Sequence, residues 1–107
     1  MNPTDQTVEI ARKKAAQSIC RTKISAIGFN RDGVIVAKAT NKPRFSRPGG
    51  GLHAERELMK MAKRKGITSI LICRVNKSGG LLPVDPCEGC AEKADELGIK
   101  IYTVGSK

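Results

Sequence analysis

The residues of this sequence best suited to chemistry are its single histidine and two of its four cysteines. Cys87 and Cys90 form a Cys-x-x-Cys pair directly after Pro86, and His53 precedes them in the chain. Thiolates and neutral imidazoles bind zinc, and catalytic zinc sites use three protein ligands whereas structural sites usually use four. The sequence therefore predicts one catalytic Zn²⁺ per chain, bound by His53, Cys87 and Cys90, with a fourth position open to water.

A carboxylate lies close in sequence to the predicted histidine ligand. Glu55 follows His53 by two residues, near enough to face the same pocket without binding the ion. Zinc lowers the pKa of bound water toward about 7, and a neighbouring carboxylate can take that proton and pass it to the substrate. This combination predicts a zinc-dependent hydrolase with Glu55 as the proton carrier. The simpler interpretation is that Glu55 is a helix-start carboxylate stabilised by the helix dipole.

The chain that positions these residues has 107 residues, which is long enough for one domain. We therefore expect a single domain that spans residues 1–107. Apolar periodicity predicts elements in the order α-β-β-α-β-α-β. The helices are expected near 5–19, 53–65 and 86–97, and the strands near 24–29, 34–40, 68–75 and 99–104. A hairpin followed by two right-handed crossovers gives a three-layer α/β domain, with a mixed sheet of about four strands and helices on both faces.

Local patterns support these elements. The first helix is expected to bury one apolar stripe, formed by Val8, Ala11, Ala15 and Ile19. The Asp32-Gly33 pair can supply the positive φ angles of a tight hairpin turn, and Gly66 is the expected end of the second helix. Each half of the predicted zinc site then opens a helix, where unpaired N–H groups favour thiolate and lower the pKa of the thiol.

The motifs resemble those of the cytidine and deoxycytidylate deaminase superfamily, whose signature is His-x-Glu followed by Pro-Cys-x-x-Cys. The matching segments are His53-Ala54-Glu55 and Pro86-Cys87-Glu88-Gly89-Cys90, each at a predicted helix start. The resemblance covers nearly the whole chain. It implies a cytidine deaminase-like fold and hydrolytic deamination of a nucleobase, most simply cytosine to uracil.

The resemblance also implies roles for residues around the metal. Asn41, at the end of the second strand, takes the place of an asparagine that contacts the sugar. The backbone N–H of Ala54 would bind the carbonyl of the base, and Pro86 would help to position the leaving ammonia. Ala91 after the second cysteine is more similar to the tRNA adenosine deaminase and deoxycytidylate branches, since free-cytidine deaminases usually have a basic residue there.

The charge distribution bears on the substrate. The formal net charge is +10, and residues 1–77 alone carry 17 basic and 5 acidic residues. In the loop before His53, Arg44 and Arg47 are candidates for phosphate contact and Phe45 for stacking on a base. The expected partner is a cytosine-containing nucleotide or single-stranded nucleic acid. The alternative is a mobile, solvated loop on a basic surface that serves only solubility.

Other interpretations remain open. The chain could be a dCMP or cytidine deaminase of nucleotide metabolism, a tRNA-type adenosine deaminase, or an inactive zinc-stabilised module that binds nucleic acid. A redox Cys-x-x-Cys would leave His53 and Glu55 without a role. Cys20 and Cys73 are expected to be core thiols. No segment is apolar enough for a membrane span, and the cysteine usage suits a reducing cytoplasm.

Assembly is a family expectation. Family members usually self-associate, and their sheet generally has a fifth strand beyond the four predicted here. The open sheet edge that results could be covered by a second copy, so a homo-oligomer is expected.

Overall fold

A five-stranded mixed sheet lies at the centre of the computed structural model, which describes residues 5–19, 22–43, 51–52, 54–84 and 88–104. The helices are α1 (Asp5–Ala16), α2 (Ala54–Lys60), α3 (Ala62–Lys65) and α4 (Glu88–Leu97). The strands are β1 (Lys23–Phe29), β2 (Ile35–Thr40), β3 (Lys42–Pro43), β4 (Gly51–Leu52), β5 (Ser69–Val75), β6 (Leu81–Leu82) and β7 (Lys100–Thr103). No described helix is long and apolar enough to cross a bilayer.

The topology is organised around β5. On one side β5 pairs antiparallel with β1 over its whole length, and β1 pairs antiparallel with β2. On the other side β7 runs parallel to the first part of β5, and β6 pairs antiparallel with its last two residues. The short strands β3 and β4 form a separate ribbon. The predicted mixed sheet is confirmed, with β6 as a fifth strand too short to show a periodic signal.

Two hydrophobic cores, one on each face of the sheet, confirm the three-layer architecture. The core beneath α1 contains buried residues of α1, β1 and β5, among them Ala11, Ala15, Ile27, Leu71 and Cys73. The core beneath α2 and α4, which we call the site-side core, includes Ala26, Ala54, Leu58, Ile72, Cys90 and Ala94. Side chains on β5 alternate between the two cores because successive residues of a strand point to opposite faces.

Three local expectations need correction. Ile19 is 82% exposed because α1 ends at Ala16, after which Gln17 and Ser18 donate to carbonyls three residues back and tighten the last turn. The second predicted helix is interrupted at Met61, whose N–H also bonds three residues back, to Leu58. In the hairpin only Gly33 has a positive φ, since the Asn30 side chain holds a wider loop through the amides of Asp32 and Val34.

The predicted end of the second helix is confirmed. Gly66 has φ 70° and ψ 30°, a left-handed conformation in which glycine meets no Cβ clash. Its N–H and that of Ile67 bond to the carbonyl of Ala62. The chain then turns directly into β5.

The buried thiol of Cys73 gives the first testable prediction. Burial raises the pKa of Cys73 to about 11, although the nearby charge of Arg12 lowers it in part. The folded protein therefore holds this proton more tightly than the unfolded chain, so the stabilisation is present below about pH 9 and is lost as the pH rises through about 11. Relative to Cys73→Ala, the wild type should lose about 3 kcal/mol of unfolding free energy over that interval. Urea unfolding at a series of pH values measures the difference, and parallel pH profiles would contradict it.

Candidate active site

The starts of α2 and α4 lie side by side over the sheet. Ala54, the first residue of α2, and Cys90, in the first turn of α4, are both fully buried in the site-side core. The two helices also pack against each other. The structure thus brings together the described members of the two sequence motifs, which are far apart in the chain.

Glu55 is buried at the start of α2. It lies in the first turn of α2 and is only 5% exposed, which is unusual for a carboxylate. The start of a helix stabilises negative charge through its unpaired N–H groups and dipole. Glu55 in the first turn of α2 and Cys90 in the first turn of α4 are thus both buried, on two helices that pack against each other.

Several predicted residues lie outside the described part of the chain. They are the metal ligands His53 and Cys87, together with Pro86, Arg44, Phe45 and Arg47. Among the described residues, no group of three histidine, cysteine or acidic side chains could hold a metal ion. This is expected, because Cys90 is the one predicted ligand that lies in the described part of the chain. The chemistry of the predicted set, two thiols and an imidazole, fits zinc.

A basic side chain of α2 reaches across to α4. A Cβ atom added to Gly89 would lie 2.8 Å from Nη2 of Arg56, so the guanidinium rests on the first turn of α4. Gly89 leaves the space that this contact needs. It stands between the two cysteines of the Cys-x-x-Cys pair, so the charge of Arg56 lies next to that segment. Nothing in the local sequence pattern separates Arg56 from the other basic residues, and it was not predicted.

Asn41 follows β2 and is held by several hydrogen bonds. Its Oδ1 accepts from Ser18 Oγ at 2.7 Å and from the backbone N–H of Ile24 at 3.1 Å, while Nδ2 donates to the carbonyl of Thr22 at 2.6 Å. These bonds fix the amide and join the segment after α1 to the start of β1. An asparagine amide nitrogen carries two hydrogens. Among the described residues Nδ2 donates one of them, to Thr22, so the other can be donated to a ligand.

Asn41 therefore carries a second prediction. Replacement by Ala removes three hydrogen bonds and leaves the N–H of Ile24 without its side-chain acceptor, so the unfolding free energy should fall by about 2 kcal/mol. The measurement is urea unfolding of Asn41→Ala beside wild type in the absence of substrate. An unchanged midpoint and slope would show that these bonds do not hold the folded state together.

Comparisons with known proteins show which family and which solved structures this chain is similar to. The sequence matches the family model described as the cytidine and deoxycytidylate deaminase zinc-binding region over residues 1–106. No curated protein sequence matches the chain. Among solved structures, the fold is similar to a cytidine deaminase from Burkholderia pseudomallei, with a TM-score of 0.68 and 18% identity over 95% of this chain and 87% of that one.

Two further structures show the same fold. A cytidine deaminase from Mycobacterium leprae aligns with a TM-score of 0.65 and 21% identity, over 94% of this chain and 89% of that chain. A dCMP deaminase from the cyanophage S-TIM5 aligns with a TM-score of 0.60 and 19% identity, over 94% and 84%. These likenesses define the class of α/β domain by its fold. Since the family model spans nearly the whole sequence, the chain belongs to the cytidine and deoxycytidylate deaminase family.

Proposed function

We propose that this protein is a zinc-dependent hydrolase that deaminates a cytosine base to uracil, in a nucleotide or in single-stranded nucleic acid. The observation that carries the proposal is that Glu55 at the start of α2 and Cys90 at the start of α4 are both buried, on helices that pack against each other. Family membership indicates activity of the cytidine or deoxycytidylate deaminase type.

The metal would be held by His53, Cys87 and Cys90, and when bound it supplies Lewis-acid activation of water near neutral pH. Glu55 takes a proton from the attacking water and delivers it to the ring nitrogen N3 of cytosine. The water oxygen forms a bond to C4, and the C4–N bond of the exocyclic amine breaks as Glu55 passes the remaining proton of the new C4 hydroxyl to that nitrogen. Water is consumed and ammonia is released, so the reaction needs no redox partner.

The other residues of the site orient the base and its sugar. The backbone N–H of Ala54 would donate to the base carbonyl, and the remaining N–H of Asn41 would donate to a sugar hydroxyl. Because three hydrogen bonds already hold the Asn41 amide, little side-chain entropy is lost when it binds. Pro86, Arg44, Phe45 and Arg47 keep the roles proposed from the sequence.

The experiment is ammonia release from cytidine, dCMP, cytosine, adenosine and a single-stranded oligonucleotide. We expect release from cytosine compounds and not from adenosine. A polymer substrate would bind steeply less well between low and moderate salt, whereas a nucleotide would show a shallow dependence. Bound zinc without ammonia release from any of these compounds would instead support an inactive, zinc-stabilised binding module. Release from adenine in RNA alone would support a tRNA-type adenosine deaminase.

Two properties of the whole protein belong to the same proposal. Thiolate ligands are preserved in a reducing compartment, so we place the protein in the cytoplasm. We also expect a homo-oligomer, because within the described residues β2 pairs only with β1 and β7 only with β5, which leaves two sheet edges open. Light scattering on the purified protein measures the assembly directly.

A further inference from the structure

One arginine lies on the face of the sheet that α2 and α4 cover. Arg74 is the penultimate residue of β5, two residues after Ile72, so it points to the same face as Ile72, the face of the site-side core. It is paired directly opposite Ile24 of β1, which packs against that core. Cross-strand partners share a face, which places the Arg74 side chain on the side of α2 and α4.

Arg74 is also at the correct end of the sheet. Ile67, which follows α3, lies over Gly28 near the far end of β1, since a Cβ added to Gly28 would lie 3.0 Å from its Cδ1, and the N–H of Thr68 bonds to the carbonyl of Phe29. The helical segment thus ends over that end of β1, and the start of α2 points toward the other end of the sheet, which holds Ile24. Asn41 bonds to Ile24 through both its backbone N–H and its Oδ1. Asn41, Ile24 and Arg74 thus form one row across three neighbouring strand positions, with Asn41 and Arg74 about 10 Å apart.

The guanidinium of Arg74 lacks a partner in the described part of the chain. Its Nε is buried without a hydrogen bond, and no ion pair joins Arg74 to a described carboxylate. Arg12, in contrast, has acceptors for its N–H groups: it donates to both carboxylate oxygens of Glu9 and to the carbonyl of Gly79. Arginine keeps its charge at all physiological pH values, so a buried, unpaired N–H of this group costs free energy unless a ligand supplies the acceptor.

The ligand that fits is a phosphate. Arginine presents a planar fork of donors that matches phosphate oxygens, and Arg74 stands beside the position proposed for the sugar. We propose that Arg74 binds a phosphate group of the substrate, so that the protein deaminates phosphorylated cytosine compounds in preference to the free nucleoside. This inference rests on the proposed function for the position of the sugar and base. A single guanidinium can recognise a phosphate without a broad aromatic platform, and the chain has only three aromatic residues from which to build one.

The test compares kcat/KM for dCMP, deoxycytidine and a short oligonucleotide with one cytosine, in wild type and Arg74→Gln. We expect Arg74→Gln to lose about ten- to a hundredfold on the phosphorylated substrates, mainly in KM, and to keep its activity on deoxycytidine. Arg31→Gln, the same change at an exposed hairpin position, is the matched control and should change neither. A loss confined to dCMP assigns a terminal phosphate, and a loss confined to the oligonucleotide assigns a backbone phosphate.

Equal losses on deoxycytidine and dCMP would overturn the proposal, because Arg74 would then act on the site rather than on a phosphate. If Arg74→Gln does not fold, the test uses the wild-type protein alone. The inhibition constant of deoxyribose 5-phosphate against deoxycytidine turnover must then be at least about tenfold lower than that of deoxyribose. Equal inhibition would overturn the proposal. If no compound is deaminated, the proposed function fails, and equilibrium dialysis of dCMP against deoxycytidine still tests Arg74. Equal binding of the two would then overturn the phosphate site.

Discussion

The Glu55→Gln variant is expected to lose at least about a thousandfold in kcat, because a positioned acid–base group contributes about 10²–10⁴ and Glu55 is the one buried carboxylate among the residues whose burial is described. Glutamine has the same shape but cannot carry the proton from water to N3 and the leaving amine. The variant should fold and bind zinc as wild type does, since Glu55 is not a predicted ligand. Ammonia release and metal content on the same sample measure both effects.

The control for this change is Glu92→Gln, on an exposed position of α4. It alters the net charge by the same amount and should leave kcat unchanged. Wild-type turnover in Glu55→Gln would mean that the carboxylate is only a helix-start residue. Loss of zinc together with turnover would mean that Glu55 holds the site together rather than moving a proton.

Cys90→Ser is expected to abolish both zinc binding and turnover. Changes to groups that only support a metal ligand cost ten- to a hundredfold in affinity, so loss of a ligand should cost at least about a hundredfold. Cys90 is also fully buried against α2, so a metal bound there stabilises the contact between the two helix starts. Atomic absorption on the purified variant, with a thermal melt in the presence and absence of added zinc, separates the two effects.

Cys73→Ser is the matched control because Cys73 is equally buried but lies in the core beneath α1. Cys73→Ser should lower the melting temperature, because it buries a hydroxyl group as Cys90→Ser does. It should keep the bound zinc and the activity, and its melting temperature should still rise when zinc is added. Zinc lost equally from both variants would show that folding, and not coordination, accounts for the Cys90 result.

The fold could be predicted because its determinants are local. Gly66 ends a helix through its own backbone freedom, and the apolar run of β5 marks a strand covered on both faces. The placement of Ala54, Glu55 and Cys90 in first helical turns followed from the same periodicity. The exposure of Ile19 could not be predicted, because the end of α1 depends on three-residue hydrogen bonds that form when the chain turns toward β1.

The candidate site was predictable only where its residues carry a motif. Glu55 and Cys90 are recognised by their neighbours in sequence, whereas Arg74 is one of 20 basic residues and becomes distinctive only through its register with Ile24. The hydrogen bonds of Asn41 to Ser18 and Thr22 likewise depend on which chain segments meet at the end of β2. Such contacts are tertiary, so no local pattern encodes them.

The most direct test of zinc-dependent deamination is a zinc titration of chelator-treated protein with ammonia release from dCMP and deoxycytidine as the readout. Activity should disappear when the metal is removed and return in proportion to added zinc, reaching its maximum at one equivalent per chain. The Glu55→Gln variant should bind the same equivalent without recovering activity. Full turnover by metal-free protein, or one bound zinc per chain with no ammonia from any cytosine compound, would contradict the central claim.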